Sequence, residues 1–144
     1  MLPETDLARF TQMHELNYDL ALREIQSGRK RGHWMWYIFP QLRGIGHSST
    51  SHYYGIEDLA EARAFLENPV LGAHLKEISR ALLPLETGRP EDVFDYPDDM
   101  KLHACMTLFC HAAEGTADQA IFEDVLKKYF HGKPHRLTEQ RLHI

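Results

Sequence analysis

Cysteine is scarce in this chain: Cys105 and Cys110 are the whole supply, five residues apart within one apolar run. On a helix that spacing turns the two side chains in different directions, so a bridge between them is disfavoured and both read as reduced thiols. No stretch approaches the length of a membrane-spanning helix. The first residues, Met1-Leu2-Pro3-Glu4-Thr5-Asp6, also lack the basic-then-apolar pattern of a secretory leader. These absences set the expectation of a cytoplasmic protein with no membrane partner. A basic excess is missing too. The formal net charge of -5 argues against general nucleic-acid binding, so any phosphate contact must come from a local patch. Internal repeats and low-complexity tracts are absent.

What is present is the composition of a packed domain. With 144 residues, 43% hydrophobic and 26% charged, the chain is long enough to bury one core, which predicts a single compact domain over residues 1–144. Helical periodicity dominates, so the expected class is mainly α with about five helices. The first is expected to be capped by Thr5 or Asp6 and to run to about Gln26, with Met13/Leu16/Leu20 and Tyr18/Ala21/Leu22/Ile25 as its apolar sets. A second starts near Ile56 and carries Leu59, Ala62 and Leu66. Asn68-Pro69 stops it and opens a third, with Leu71, Leu75, Ile78 and Leu82 on one face. After a loop with one short turn around Asp92 to Phe94, Asp98 is expected to cap a central fourth helix bearing Leu102, Cys105, Met106, Phe109 and Ala113. Thr116-Ala117-Asp118-Gln119 matches a capping box ahead of a fifth helix, which holds Ile121, Phe122, Val125, Leu126 and Tyr129 and ends at Gly132. Leu71, Leu75, Ile78, Leu102, Met106 and Phe109 are the expected core.

Residues 33–54 resist this periodicity. They read as an irregular aromatic and glycine-rich segment, able to hold a loop, a short helix or one or two short strands.

The same segment carries the chemistry. From Gly28 to Gly55 it contains three consecutive cations, Arg29-Lys30-Arg31, both tryptophans of the chain, and a run of hydroxyl side chains from Ser48 to Ser51. Flat aromatic side chains beside cations can stack a base or sugar and neutralise a phosphate, and Gly44 and Gly46 let backbone amides approach an anion closely. The candidate ligand-binding residues are Arg29, Arg31, His33, Trp34, Trp36, Tyr37, Gln41, Arg43, Gly44, Gly46, Ser48, Ser51, Tyr54 and Lys101. The competing reading makes the aromatics core, the cations a solvated corner and the glycines turns. Lys101 is a lone cation in an apolar helix that either snorkels to solvent or reaches the same pocket. Among carboxylates, Glu57 and Glu61 lie one helical turn apart, and Glu61 is the candidate general base, against the simpler reading of acids favoured near a helix N-terminus.

Ten histidines raise the question of a metal. His131 and His135 are four apart, but Gly132 and Pro134 interrupt any helix between them, and no nearby acidic partner is expected to complete a set of His103, Cys110 and His111. No metal site and no cofactor are expected. Cys105 and Cys110 sit mid-helix among apolar neighbours, where a thiol is inert packing.

The run from Gly32 to Gly46, with Tyr54-Gly55-Ile56, Glu61-Ala62, Asp98 to Leu102 and Met106-Thr107-Leu108-Phe109, resembles a bacterial family of uncharacterised small proteins to which the label calpastatin is often attached. The resemblance covers nearly the whole chain and implies no activity. Met13-His14 and His135 stand where the family pattern has an Ala-Gln pair and an acid. Calpastatin-type inhibitors are disordered and poor in aromatics, unlike this composition. Separately, Ser51-His52-Tyr53-Tyr54 is similar to the Glu-His-Tyr-Tyr region of the NADAR family, with Ser51 in the place of that family's acid. That similarity implies N-glycosidic chemistry on ADP-ribose-type compounds.

Together these readings predict a binder or hydrolase of a phosphate-bearing, nucleotide-sugar or ADP-ribose-like small molecule. The rival is a non-catalytic module that uses the same aromatic patch against a protein. A concave site with convergent polar groups favours the first, a flat exposed patch the second.

Overall fold

The computed structural model describes residues 7–144, and in them the chain is mainly helical. Helix α1 spans Ala8–Gln26 and buries Phe10, His14, Tyr18, Ala21 and Ile25, one stripe at three- and four-residue steps. This corrects the expected apolar face: Leu16 is 75% exposed and Leu20 faces solvent as well. His14 takes the inward position because both ring nitrogens are satisfied there. Its Nε2 donates to the Tyr37 carbonyl at 2.7 Å and its Nδ1 accepts from His74 Nδ1 at 2.9 Å. The expected cap at Thr5 or Asp6 lies outside the described residues. At the other end Gly28, at φ +91°, lets the chain leave the helix while its N–H and that of Arg29 take the Ile25 and Glu24 carbonyls.

The segment without periodicity holds two short helices, α2 at Met35–Ile38 and α3 at Ser49–Tyr54. Neither reaches two turns, too short for a hydrophobic period to be read. Between them Leu42 and Ile56 form an isolated parallel bridge, made by Arg43 N–H to the Ile56 carbonyl at 2.7 Å and Ile56 N–H to the Gln41 carbonyl at 2.9 Å. No strand forms among the described residues. Helix α4, Leu59–Glu67, is capped by Asp58, and α5, Leu71–Arg80, follows a turn in which Asn68 Oδ1 accepts from the N–H groups of Val70 and Leu71. A short 3₁₀ turn at Pro90–Asp92 precedes the longest inner helix.

That helix, α6 at Asp98–Ala112, buries residues all around its circumference, from Leu102 to Phe109, and packs on α4, on α7 at Gln119–Phe130 and on α8 at Arg136–Arg141. The six residues named as core are all fully buried. Two expected caps are corrected. Pro97 holds the cap position of α6, and Asp98 lies in the first turn with its carboxylate drawn to Lys30 and Lys101. At α7 no capping box forms: Thr116 Oγ1 donates to the Ala113 carbonyl, Gln119 Nε2 to the Cys110 carbonyl, and Asp118 opens the helix without a side-chain cap. The helices beyond the five expected are α2, α3 and α8.

Candidate functional site

The aromatic segment divides by local hydrogen bonding into a buried half and a cavity-facing half. Trp34 is 1% exposed, and its indole donates to Glu24 Oε1 at 2.8 Å. The same oxygen accepts from the N–H groups of Arg31 and Gly32. Burial pushes the Glu24 carboxyl up, but these donors and nearby Lys30 outweigh it and hold the group below its ordinary value. Tyr37 is buried and its ring packs near half-buried Tyr54.

The expected cations scatter. Arg29 pairs with Asp95 and donates to the carbonyls of Glu91 and Asp92. Arg43 pairs with Glu57 at 2.5 Å and donates to the His52 carbonyl. Arg31 and His33 are exposed. Gly44 lies directly beneath the Arg141 guanidinium. None of Arg29, Arg31, His33, Trp34, Tyr37, Arg43, Gly44 and Tyr54 lines the cavity described next.

Glu61 is also elsewhere. Its carboxylate accepts from the Glu57 N–H at 2.9 Å and from Arg9 Nη2 at 3.0 Å, in a pair almost wholly buried. Its own N–H binds Asp58 Oδ1. The acid thus finishes the N-terminus of α4 and ties it to α1, which is the structural role weighed against catalysis from the sequence.

Six of the expected residues do converge. Trp36, Gln41, Gly46, Ser48, Ser51 and Lys101 line a cavity of about 490 Å³ between α2, the 41–51 loop, the start of α6 and α8. That volume is within the usual range for small-molecule pockets. Sequence reasoning missed Ile45, His47, Tyr96, Pro97, Met100, His135 and Leu137, which complete the wall. Tyr96-Pro97 immediately before an inner helix was a legible signal, since an aromatic and a proline there mark a loop end beside the core. Leu137 carried none. Tyr96, Met100 and Leu137 form an apolar rim, with Tyr96 77% exposed.

The polar floor has two parts. Gln41 is 8% exposed, its side-chain amide has no hydrogen-bond partner among the described residues, and its polar atoms still reach open space in the cavity. It is held in place by a close approach of backbone: a Cβ at Gly46 would stand 2.6 Å from Ser51 Oγ and 2.9 Å from Gln41 Nε2, so only glycine fits. Ser51 Oγ accepts from Ser48 Oγ at 3.0 Å, and Ser48 caps α3. The second part is charge. Lys101 Nζ lies 5.0 Å from the Trp36 ring centroid and 3.5 Å from Asp98 Oδ1, while Lys30 Nζ sits 2.8 Å from Asp98 Oδ2. Lys30 also faces the Glu24 carboxylate, and of the two contacts to Asp98 that of Lys101 is the longer.

His135 borders the cavity with Nδ1 occupied by Thr138, whose N–H donates to it, so Nε2 carries the ring proton. Burial, with His103 adding to it, lowers the basicity of His135 and keeps it neutral near pH 7. Among the described residues no carboxylate lines this cavity. A second cavity of about 470 Å³, between α6, α7 and α8, has Cys110, His111, Glu114, Glu123 and Glu139 in its wall. There His111 and Glu139 satisfy each other at 2.7 Å. Burial, then the nearby glutamates, push the Cys110 thiol up. Among the described residues no three His, Cys, Asp or Glu side chains converge on a metal position.

Fold and site together define a helical protein with one floor of unpartnered polarity under an apolar rim. The chain belongs to the family described as Protein of unknown function (DUF1810), whose model matches residues 4–142. Its structure is similar to the crystal structure of the conserved hypothetical protein Rv1873 from Mycobacterium tuberculosis, with 40% identity and a TM-score of 0.91 over 96% of this chain and 97% of that one. Neither description carries the calpastatin label or names NADAR. No curated protein matches the chain. No helix among the described residues is long and apolar enough to cross a membrane.

Proposed function

We propose that this protein binds a small organic anion with a flat face, of the nucleotide or ADP-ribose type, in the cavity bounded by Trp36, Gln41 and Lys101. The observation that carries this reading is Gln41: its side chain is largely buried, yet its amide takes no partner among the described residues and opens into the cavity, where a ligand can supply both hydrogen bonds. Lys101, which lies over Trp36 and holds Asp98 by the longer of that carboxylate's two ion pairs, meets the anionic group. The apolar rim would cover the flat one.

Binding is favoured over hydrolysis. Among the described residues the cavity has no carboxylate to act as base, Glu61 is committed to Arg9 and the α4 terminus, and proton transfer would fall to His47 or His135. The concave shape with convergent polar groups favours a small molecule over a protein partner. A thermal-shift and calorimetry screen against nucleotides, ADP-ribose and sugar phosphates tests the proposal, because a ligand specific for the native state raises the melting temperature. A hit should lose about ten-fold or more in affinity in Lys101→Met, the scale of a charge-assisted contact. Arg31→Ala, which removes an exposed cation outside the cavity, should leave it unchanged. A hit indifferent to Lys101→Met and Trp36→Ala places binding elsewhere.

A further inference from the structure

We infer that the cavity selects its ligand through a planar edge carrying a donor beside an acceptor, the lactam, amidine or carboxamide edge of a nucleobase or nicotinamide ring, read by Gln41. This rests on the binding reading above and adds which part of the ligand goes to the floor. A side-chain amide presents a donor and an acceptor side by side in one plane. A phosphate or carboxylate satisfies only the NH₂ and sets its oxygens against the amide oxygen, whereas a lactam, amidine or carboxamide satisfies both groups at once. Exchange of the amide nitrogen and oxygen only reverses the order of donor and acceptor, so the same edge is read in either orientation.

Three features of the floor support an oriented reader over a loose polar surface. The amide is wedged against Gly46 and Ser51, where a Cβ on residue 46 would collide with both. Ser51 is itself buried, and its hydroxyl accepts from Ser48, which leaves the Ser51 proton as a further donor beside the amide. The cation stands apart from the floor: Lys101 lies over Trp36 and shares Asp98 with Lys30, so the anionic group of the ligand is met separately from its neutral edge. A nucleoside monophosphate or nicotinamide mononucleotide has both parts.

The test is calorimetric titration of the full chain with uridine and adenosine 5′-monophosphates and nicotinamide mononucleotide. These are set against 3-methyluridine 5′-monophosphate and N6,N6-dimethyladenosine 5′-monophosphate, whose edge donors are removed, and against ribose 5-phosphate, which has no edge. At least one edge-bearing compound should bind about ten-fold or more tighter than its methylated counterpart or ribose 5-phosphate, the discrimination of a bidentate pair. Gln41→Met should erase that ratio, bringing edge-bearing compounds down to the affinity of their methylated counterparts. Gln41→Glu, which keeps the shape and removes the donor, should erase it too if the Met variant fails to fold. Equal binding of edge-bearing, methylated and edge-free compounds overturns the inference and leaves the binding reading standing. Absence of binding by every compound, with no change in Trp36 fluorescence, removes both.

Discussion

Trp34 donates its indole N–H to Glu24 at 2.8 Å, and this bond separates the fates of the two tryptophans. The Glu24 carboxylate also gathers the N–H groups of Arg31 and Gly32, so the turn after α1 is folded around Trp34 and draws that ring into the core. Trp36, two residues on, is left at the cavity wall. Trp34→Ala should therefore cost stability, about 3 to 5 kcal/mol, the range for truncating a core tryptophan. Trp36→Ala should instead cost ligand affinity, about 1 to 3 kcal/mol, the scale of one stacking contact. Chemical denaturation and titration of a screening hit separate the two. Equal stability losses would mean that Trp36 is core as well.

Glu61 is expected to behave as a structural acid. The Arg9–Glu61 pair is nearly removed from water, and Glu61 also accepts from the Glu57 N–H, so losing its carboxylate breaks a buried ion pair and a helix cap together, at about 3 to 5 kcal/mol. Glu61→Ala should lower the unfolding free energy from chemical denaturation by an amount in that range and leave the affinity for any cavity ligand unchanged. A stable Glu61→Ala protein with lost binding or turnover would return Glu61 to the site.

The buried His14 makes stability depend on acid. Burial, with His74 adding to it against the hydrogen bond to Tyr37, lowers its pKa to about 4. The unfolded chain takes up a proton near pH 6.5, whereas the folded chain does not until about pH 4. Between those values the unfolded state binds more protons, so the stability is intact above pH 6.5 and falls as the solution is acidified toward pH 4, by about 3 kcal/mol for this group. His74, which stacks on Tyr18 and receives the opposing pull of Glu77, His103 and His135 shift in the same direction. Ring-nitrogen NMR of His14 should show a neutral imidazole down to about pH 4, beside a melting temperature that declines below pH 6.5. A ring that titrates near its ordinary value would contradict the buried placement.

The two thiols should differ in access and agree in reluctance. Cys105 is fully buried and its thiol is pushed well up by burial, while Cys110 is half-buried. With N-ethylmaleimide at pH 8, Cys110 should react slowly and Cys105 only after denaturant is added. Rapid native labelling of Cys105, read by mass spectrometry, would show that the core around α6 opens readily.

Local periodicity carried most of the helical frame. Leu71, Leu75 and Ile78 repeat at helical steps, and Leu102, Met106 and Phe109 do the same, so their burial follows from facts within a dozen residues. α2, α3 and α8 were not legible in this way, because a helix of four to six residues has no period to show. The capping box at Thr116–Gln119 was legible and did not form, since nearby carbonyls of α6 took both side chains.

Composition and spacing act locally, and they are enough to specify a mainly helical chain with reduced thiols, a central apolar helix and one chemically unusual segment. Which way that segment faces was set by contacts between residues far apart in the chain. His14 displaced Leu16 from the inner stripe because Tyr37 and His74, distant in sequence, supply its hydrogen bonds. Trp34 went inward and Trp36 outward because Glu24 reaches across the turn. The cavity itself is assembled from residues 36–51, 96–101 and 135–137, three stretches that meet only when α6 and α8 pack. A void has no period of its own. Its walls are set by long-range packing, and its floor is defined by a hydrogen bond that the chain leaves unmade at Gln41.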